Sequence, residues 1–199
     1  LRHSEQQQPV VPPLRVHRYD FHFTSEGWRI SEVNSDVPGG FIQASGFTSL
    51  MAAEYAGCET CGDPAGALIA ALQGASRSEE PVALVHTTAY CDDRQVMVYL
   101  GNRLAEVGVD AALAAPDHLD GQGCEAWLRQ QRLGAIVRFF PAEWLVNLPR
   151  RSQWQHFVCG SRTLLINPAT ALLTQSKRFP LVWDRLRIAV ASPGLLAGM

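Results

Sequence analysis

PVALVHTTAYCDDRQVMVYLGNRLAEVG, residues 81–108, sets the fold class. Its opening is a short apolar run rich in valine, as expected of a strand buried on both faces of a parallel sheet. Asp92 and Asp93 suit the start of a helix, where carboxylates meet free N–H groups and the positive end of the helix dipole. Val96, Tyr99, Leu100, Leu104 and Val107 then share one helical face. Downstream, VDAALAAP (109–116) reads as a second strand, CEAWLRQQRLG (124–134) as a second helix and AIVRFF (135–140) as a third strand. PAEWLVNLP (141–149) reads as a short helix, TLLINP (163–168) as a strand and FPLVWDRLRIAV (179–190) as a closing helix. Strand alternating with helix over residues 81–170 predicts an α/β fold with a doubly wound, mostly parallel sheet. No G-x-G-x-x-G occurs, so a Rossmann-type dinucleotide site is not supported.

Upstream the pattern changes. RVHRYDFHFT (15–24) and WRISEVNS (28–35) are aromatic and β-branched, and Ser25-Glu26-Gly27 separates them. They predict two antiparallel strands joined by a three-residue loop, with Thr24 opposite Trp28 and Gly27 in a left-handed conformation. Residues two apart in a strand face the same way. Counting back from the turn, Asp20 falls opposite Glu32 and Arg18 opposite Asn34. Two facing carboxylates repel unless a cation lies between them. With an amide oxygen they form an all-oxygen set suited to Mg²⁺, an ion that keeps waters and phosphate oxygens in its other positions. Arg18 would hold a phosphoryl oxygen with its fork of donors. A solvated strand face with alternating surface charges is the alternative reading of the same spacing. DVPGG (36–40) breaks the strand, and FIQASGFTSLMAAEYAG (41–57) includes a helix.

Composition bounds the possibilities. Hydrophobic residues at 47% against 18% charged provide a real core. A net charge of −2 gives no electrostatic footprint for nucleic acid or an anionic membrane. No apolar run approaches the roughly 20 residues that span a bilayer. The N-terminal LRHSEQQQPVVPP lacks a signal peptide's apolar core, so a soluble, cytoplasmic protein is expected. Sixteen of the 17 basic residues are arginine, and Lys177 is the lone lysine. Five cysteines without a secretory signal argue against a disulfide framework. Cys58 and Cys61 form a C-x-x-C after a helical stretch, read as incidental thiols, with redox or metal use as the alternative. Glu143 and Trp144 are read as a local cap and a core residue, His86 as a satisfied histidine at the ligand-bearing edge of the sheet, and His22 as a surface residue.

R-Y-D followed by I-S-E-V-N-S-D-V-P resembles the R-x-D and E-x-N-x-D pattern of glutathionylspermidine synthase and its relatives, which are circularly permuted ATP-grasp ligases. RFFPAEWLVNLP (138–149) resembles the family's aromatic-Pro-x-Glu-Trp stretch. INPATALLTQSKRFPLVWDRL (166–186) resembles its EP-x-W-x-x-x-L-x-x-NKA-x-LP-x-LW stretch. The likeness spans residues 15–188. It implies Mg²⁺ on Asp20, Glu32 and Asn34, phosphate contact by Arg18, and ATP phosphates held by Lys177. The implied reaction is ATP- and Mg²⁺-dependent amide bond formation from a carboxylate and an amine. Relatives carry serines and sometimes a cysteine in the loop after E-x-N; here it is Val37-Pro38-Gly39-Gly40, where the backbone of Gly39 and Gly40 would cradle an anionic substrate. Ser176 precedes the lysine where many relatives have Asn. Residues 1–14, polar and proline-rich, read as a flexible tail, and the resemblance implies a metal-binding hairpin of the ATP-grasp sheet over 15–50 and a pre-ATP-grasp-like α/β domain over 51–199. The family needs a further nucleotide-clamping lobe after the lysine motif. The expectation is therefore either a piece of a larger enzyme completed by a C-terminal lobe, or a shortened relative. A non-catalytic module binding a small ligand or a partner is the second reading, and a redox or zinc protein built on Cys58 and Cys61 the third.

Overall fold

The computed structural model describes residues 14–75, 79–122, 125–149, 152, 157 and 162–185. The expected tail lies outside these residues except for Leu14, which packs against the main core. The chain opens with a hairpin of β1 (Arg18–Thr24) and β2 (Gly27–Asn34). A π-helical stretch, Ile42–Phe47, runs into α1 (Thr48–Glu54), and α2 (Pro64–Ala75) follows. Next come β3 (Val82–His86), α3 (Cys91–Glu106) and β4 (Ala111–Ala114). Three short strands, β5 (Leu119–Gln122), β6 (Glu125–Leu128) and β7 (Gln131–Arg132), precede β8 (Ala135–Phe139). After the 3₁₀ turns at Ala142–Asn147 come β9 (Leu164–Ile166) and α4 (Leu172–Gln175), then a 3₁₀ run at Phe179–Arg185. Residues 186–190 of the expected closing helix lie outside the described residues.

The centre is a parallel four-stranded sheet in the order β4-β3-β8-β9. β3 and β8 are buried at every position, which explains their unbroken apolar character. Their side chains alternate between two cores. Val82, Leu84 and Val137 pack with Leu68, Leu72, Met97, Leu100 and Leu104 of α2 and α3. Ala83, Val85 and Ile136 pack with Leu119, Ala126, Leu128 and Phe140 on the other face.

That second face corrects one expectation. Residues 124–134 are not a helix: β5, β6 and β7 form an antiparallel meander over the sheet. Arg129 (φ 50°) and Gln130 (φ 67°) make the tight turn, a conformation normally left to Asn-Gly, so it carries no sequence signature. Among the described residues the α-helices α2 and α3 lie on one face only, while the meander and the 3₁₀ turns at Ala142–Asn147 cover the other, so the sheet is not doubly wound with α-helices there. A second omission is α2, to which the sequence reading assigned no element. Asp63 caps it by accepting the Gly66 N–H at 2.9 Å, and Pro64 occupies its first turn, the usual start signals.

Candidate metal hairpin and its anchor

A two-stranded hairpin is marginal on its own in water. Here β1 and β2 are held at their open end. Asn167, just past β9, accepts the Val16 N–H at 2.9 Å and donates to the carbonyls of Val16 and Ser35, each at 2.7 Å. Asp36, two residues past β2 and 2% exposed, places its carboxylate inside the protein. It accepts from Arg138 Nη2 and from the Ala142 N–H at 2.9 Å. Arg138, also 2% exposed, donates as well to the carbonyls of Asn167 (2.9 Å), Phe140 and Asp36 (3.2 Å). Burial pulls the Arg138 pKa down and the Asp36 charge pulls it back up. Gln175 of α4 accepts the N–H groups of Ser35 at 3.1 Å and Asp36 at 2.8 Å. The Ser35 hydroxyl donates to the Ala171 carbonyl at 2.9 Å and lies 2.8 Å from the Thr174 hydroxyl.

Beyond this anchor the register is the one the candidate set requires. Asp20 pairs with Glu32 and Arg18 with Asn34. The turn, however, is not the expected one: Thr24 pairs with Gly27 across a two-residue loop, and Phe23 with Trp28. A bulge at Ser31, between Ile30 opposite Phe21 and Glu32 opposite Asp20, inserts one residue and restores the count. The Ser31 hydroxyl fixes it by donating to the Asp20 carbonyl at 3.0 Å. Gly27 does take the positive φ, at 98°.

Arg18, Asp20, Glu32 and Asn34 thus share one face. Arg18 grips Asp20 with both arms of its fork, Nε to Oδ1 at 2.9 Å and Nη2 to Oδ2 at 3.1 Å. Asn34 Nδ2 donates to Asp20 Oδ2 at 3.3 Å. The Arg18 bond holds the Asp20 pKa below the usual carboxylate range, with Asn34 adding to it, and Asp20 raises that of Arg18. Glu32 makes no hydrogen bond or ion pair with a described residue, so a half-buried carboxylate faces this cluster unpaired. Among the described residues no three His, Cys, Asp or Glu side chains cluster as metal ligands; the candidate set is two carboxylates and one amide. The opposite face is aromatic and open to solvent, with Phe21, Phe23 and Trp28 from 53% to 74% exposed. His22 is exposed, as expected.

The remaining candidates lie nearby in the chain. Lys177 is exposed, two residues past Gln175, so its segment is tied to the end of β2. Gly40 adopts φ 101° and its carbonyl accepts the Ala44 N–H at 2.9 Å, starting the π-helical stretch. Gly39 has open space where a side chain would begin.

The carboxyl ends of β3 and β8 mark the topological switch point, since the chain leaves β3 for β4 on one side and returns to β8 on the other. His86 is 4% exposed there, with Nδ1 at 3.0 Å from the Thr87 carbonyl. Thr87 donates to Asp93 at 3.5 Å, and burial raises the Asp93 pKa. Trp144 is partly buried, packs against the second core and stacks on Tyr90 at 5.4 Å. Asp93 and Tyr90 were absent from the sequence candidates; the signal for them was their place just after a buried parallel strand.

Residues 9–196 match the glutathionylspermidine synthase preATP-grasp family. Among solved structures, a glutathione synthetase-like effector from Globodera pallida, in its apo form, superposes with a TM-score of 0.60 at 15% identity. The match covers 92% of this chain and 46% of that one, so this chain spans less than half its length. No curated protein matches. No helix among the described residues is long and apolar enough to cross a membrane.

Proposed function

The chain belongs to the glutathionylspermidine synthase preATP-grasp family, a kinship with ATP-grasp ligases, and from it we propose that the chain supplies the metal-binding hairpin and substrate-side domain of a ligase joining a carboxylate to an amine with ATP. The observation that carries the reading is the β1–β2 register, with Asp20 opposite Glu32 and Arg18 opposite Asn34 on one face.

The donor set fits Mg²⁺. Two carboxylates face each other, Glu32 has no partner among the described residues, and the Asn34 amide borders both. Rotation of that amide exchanges its nitrogen for its oxygen toward Asp20. Magnesium, when bound, neutralises phosphoryl charge. The chain's own groups do the rest. Arg18 commits Nε and one Nη2 donor to Asp20, and Nη1 makes no hydrogen bond to a described residue. It can therefore hold an anionic oxygen while Asp20 fixes its plane. Lys177 adds a flexible positive charge toward ATP phosphates, positioned through Gln175. The substrate carboxylate takes the γ-phosphoryl group to give an acyl phosphate, and the amine displaces phosphate. The open strand edges and aromatic face of the hairpin are where further strands of an ATP-grasp sheet would add, and the parallel sheet with its covering layers would serve as the pre-ATP-grasp domain.

The test measures ADP and amide formation with Mg²⁺, ATP and panels of carboxylates and amines. The chain is assayed alone and mixed with the C-terminal half of a relative. The reading expects Mg²⁺-dependent ADP release in the mixed sample, lowered about 10²-fold by Glu32→Gln. Absence of Mg²⁺- and ATP-dependent heat in calorimetry, in both samples, refutes it. A second reading, a non-catalytic small-ligand module, is favoured by the polar and aromatic cluster at the switch point, whose His86, Thr87, Asp93, Tyr90 and Trp144 all come from this chain. It predicts ligand binding indifferent to ATP.

A further inference from the structure

Between α1 and α2 lies a hollow of about 440 Å³, lined by residues that include Ala44, Met51, Tyr55, Cys58, Cys61 and Pro64. α1 has no buried residue, and Leu50 and Tyr55 stand 69% and 58% exposed. The loop carrying the two cysteines is bracketed by Gly57 (φ 83°) and Gly62 (φ 146°), both in conformations that side chains resist. Its C-terminal end is pinned. The Ser45 hydroxyl accepts the Ala65 N–H at 3.0 Å, and Asp63 both caps α2 and pairs with Arg103 at 2.7 Å. Cys58 and Cys61 are free and exposed.

We propose that Cys58 and Cys61 are a redox-active dithiol, closed by low-molecular-weight disulfides into an intramolecular bond that reshapes this hollow and leaves the core unchanged. The thiolate of one cysteine attacks a sulfur of the small disulfide, forming a mixed disulfide and expelling one thiolate. The other cysteine then attacks the protein-bound sulfur, forming the Cys58–Cys61 bond and expelling the second. The protein gives up two electrons, the small disulfide takes them, and the two protein protons end on the expelled thiols. A disulfide needs Cα atoms about 4.4–6.8 Å apart, which residues i and i+3 reach in one β-turn. The flanking glycines let the loop make that turn ahead of the fixed start of α2. Cys91 is engaged elsewhere: its thiol donates to Asp92 at 3.2 Å, and that carboxylate raises its pKa.

Arg29 and Arg77 bound a stretch without other basic residues, so trypsin leaves both cysteines in one peptide, residues 30–77. The chain is equilibrated with oxidised glutathione, alkylated and digested. The expected result is a 30–77 peptide lighter by two hydrogens and free of alkylation. Cys58→Ser and Cys61→Ser instead retain one glutathione, about tenfold more than wild type, because the resolving thiol is gone. Hydrogen exchange should change over residues 55–62 and stay constant in α2 and β3. A wild-type peptide that stays alkylatable, or carries glutathione at both cysteines, overturns the proposal, as does an exchange difference spreading into α2.

Discussion

Asp36→Ala removes a buried carboxylate at the point where the hairpin meets the sheet. Two groups lose their partner: the Arg138 guanidinium, whose side chain is fully buried, and the Ala142 N–H. A buried N–H left unsatisfied costs about 1–3 kcal/mol. Breaking a buried ion pair by removing one partner costs about 3–5 kcal/mol in all. The three carbonyls that also receive Arg138 soften the loss, so about 4 kcal/mol is expected. For a chain of this size that lowers Tm by roughly 8–16 °C. Urea unfolding followed by tryptophan fluorescence gives the free energy, with Arg138→Met and the double substitution completing a cycle. Asp36→Ala with Arg138→Met removes both charges together and should cost at least about 2 kcal/mol less than the sum of the single changes. Additive costs, or a loss below about 1 kcal/mol for Asp36→Ala, would refute the ion pair as the hairpin's anchor.

Three further outcomes are expected. Arg103 and the Gly66 N–H hold the Asp63 pKa down to about 2. A depressed native pKa stabilises above the unfolded value of about 3.9 and is lost as pH falls toward 2. The Asp63 side chain is 45% exposed, so screening leaves about 0.5–1 kcal/mol, and urea midpoints between pH 5 and pH 2.5 should fall less in Asp63→Asn than in wild type. Without metal, Glu32→Gln should stabilise the chain by about 0.2–1 kcal/mol by removing a facing carboxylate, and Mg²⁺ should raise the Tm of wild type but not of the variant; a destabilised variant counts against the opposed pair. Gly40→Ala should cost about 1–2 kcal/mol because of its φ of 101°, whereas Gly39→Ala, with open space at its Cβ position, should change the urea midpoint little.

The sheet was legible because its strands are unmixed: VALVH and AIVRF have only one stable place, between two layers. The covering layer was not. Ala126 and Leu128 point inward and Glu125 and Trp127 less so, a two-residue rhythm too short to outweigh the helical look of CEAWLRQQRLG, and its turn uses Arg-Gln. At the hairpin the expected register of Asp20 with Glu32 and Arg18 with Asn34 was right although the turn was wrong, since the bulge at Ser31 offsets the shorter loop. Spacing counts from a turn carry no warning of such compensation. Asp36 stands in the E-x-N-x-D run, but its partner Arg138 lies 102 residues away and nothing local announces it.

Glu32, Asn34 and Asp36 follow one another at the two-residue spacing of a strand, yet they serve opposite ends of one device. Glu32 and Asn34 lie with Asp20 on one half-buried face, where two carboxylates stand in register and Arg18 pairs with only one of them. Asp36 comes just after β2 ends and turns inward to Arg138, while the neighbouring backbone is gripped by Gln175 and Asn167. The three stretches that carry the family likeness therefore meet at one buried polar knot: residues 18–36 bring Asp36, residues 138–149 bring Arg138 and Ala142, and residues 166–186 bring Asn167 and Gln175. A hairpin with no other strand beside it among the described residues can hold opposed carboxylates in register only if its base cannot slide. The knot supplies that constraint, and it couples the segment bearing Lys177 to the same base. The segment that carries Lys177 is thus tied by Gln175 to the backbone of residues 35 and 36, at the base of the face that bears Asp20, Glu32 and Asn34, and a change at Gln175 should loosen that tie without touching either.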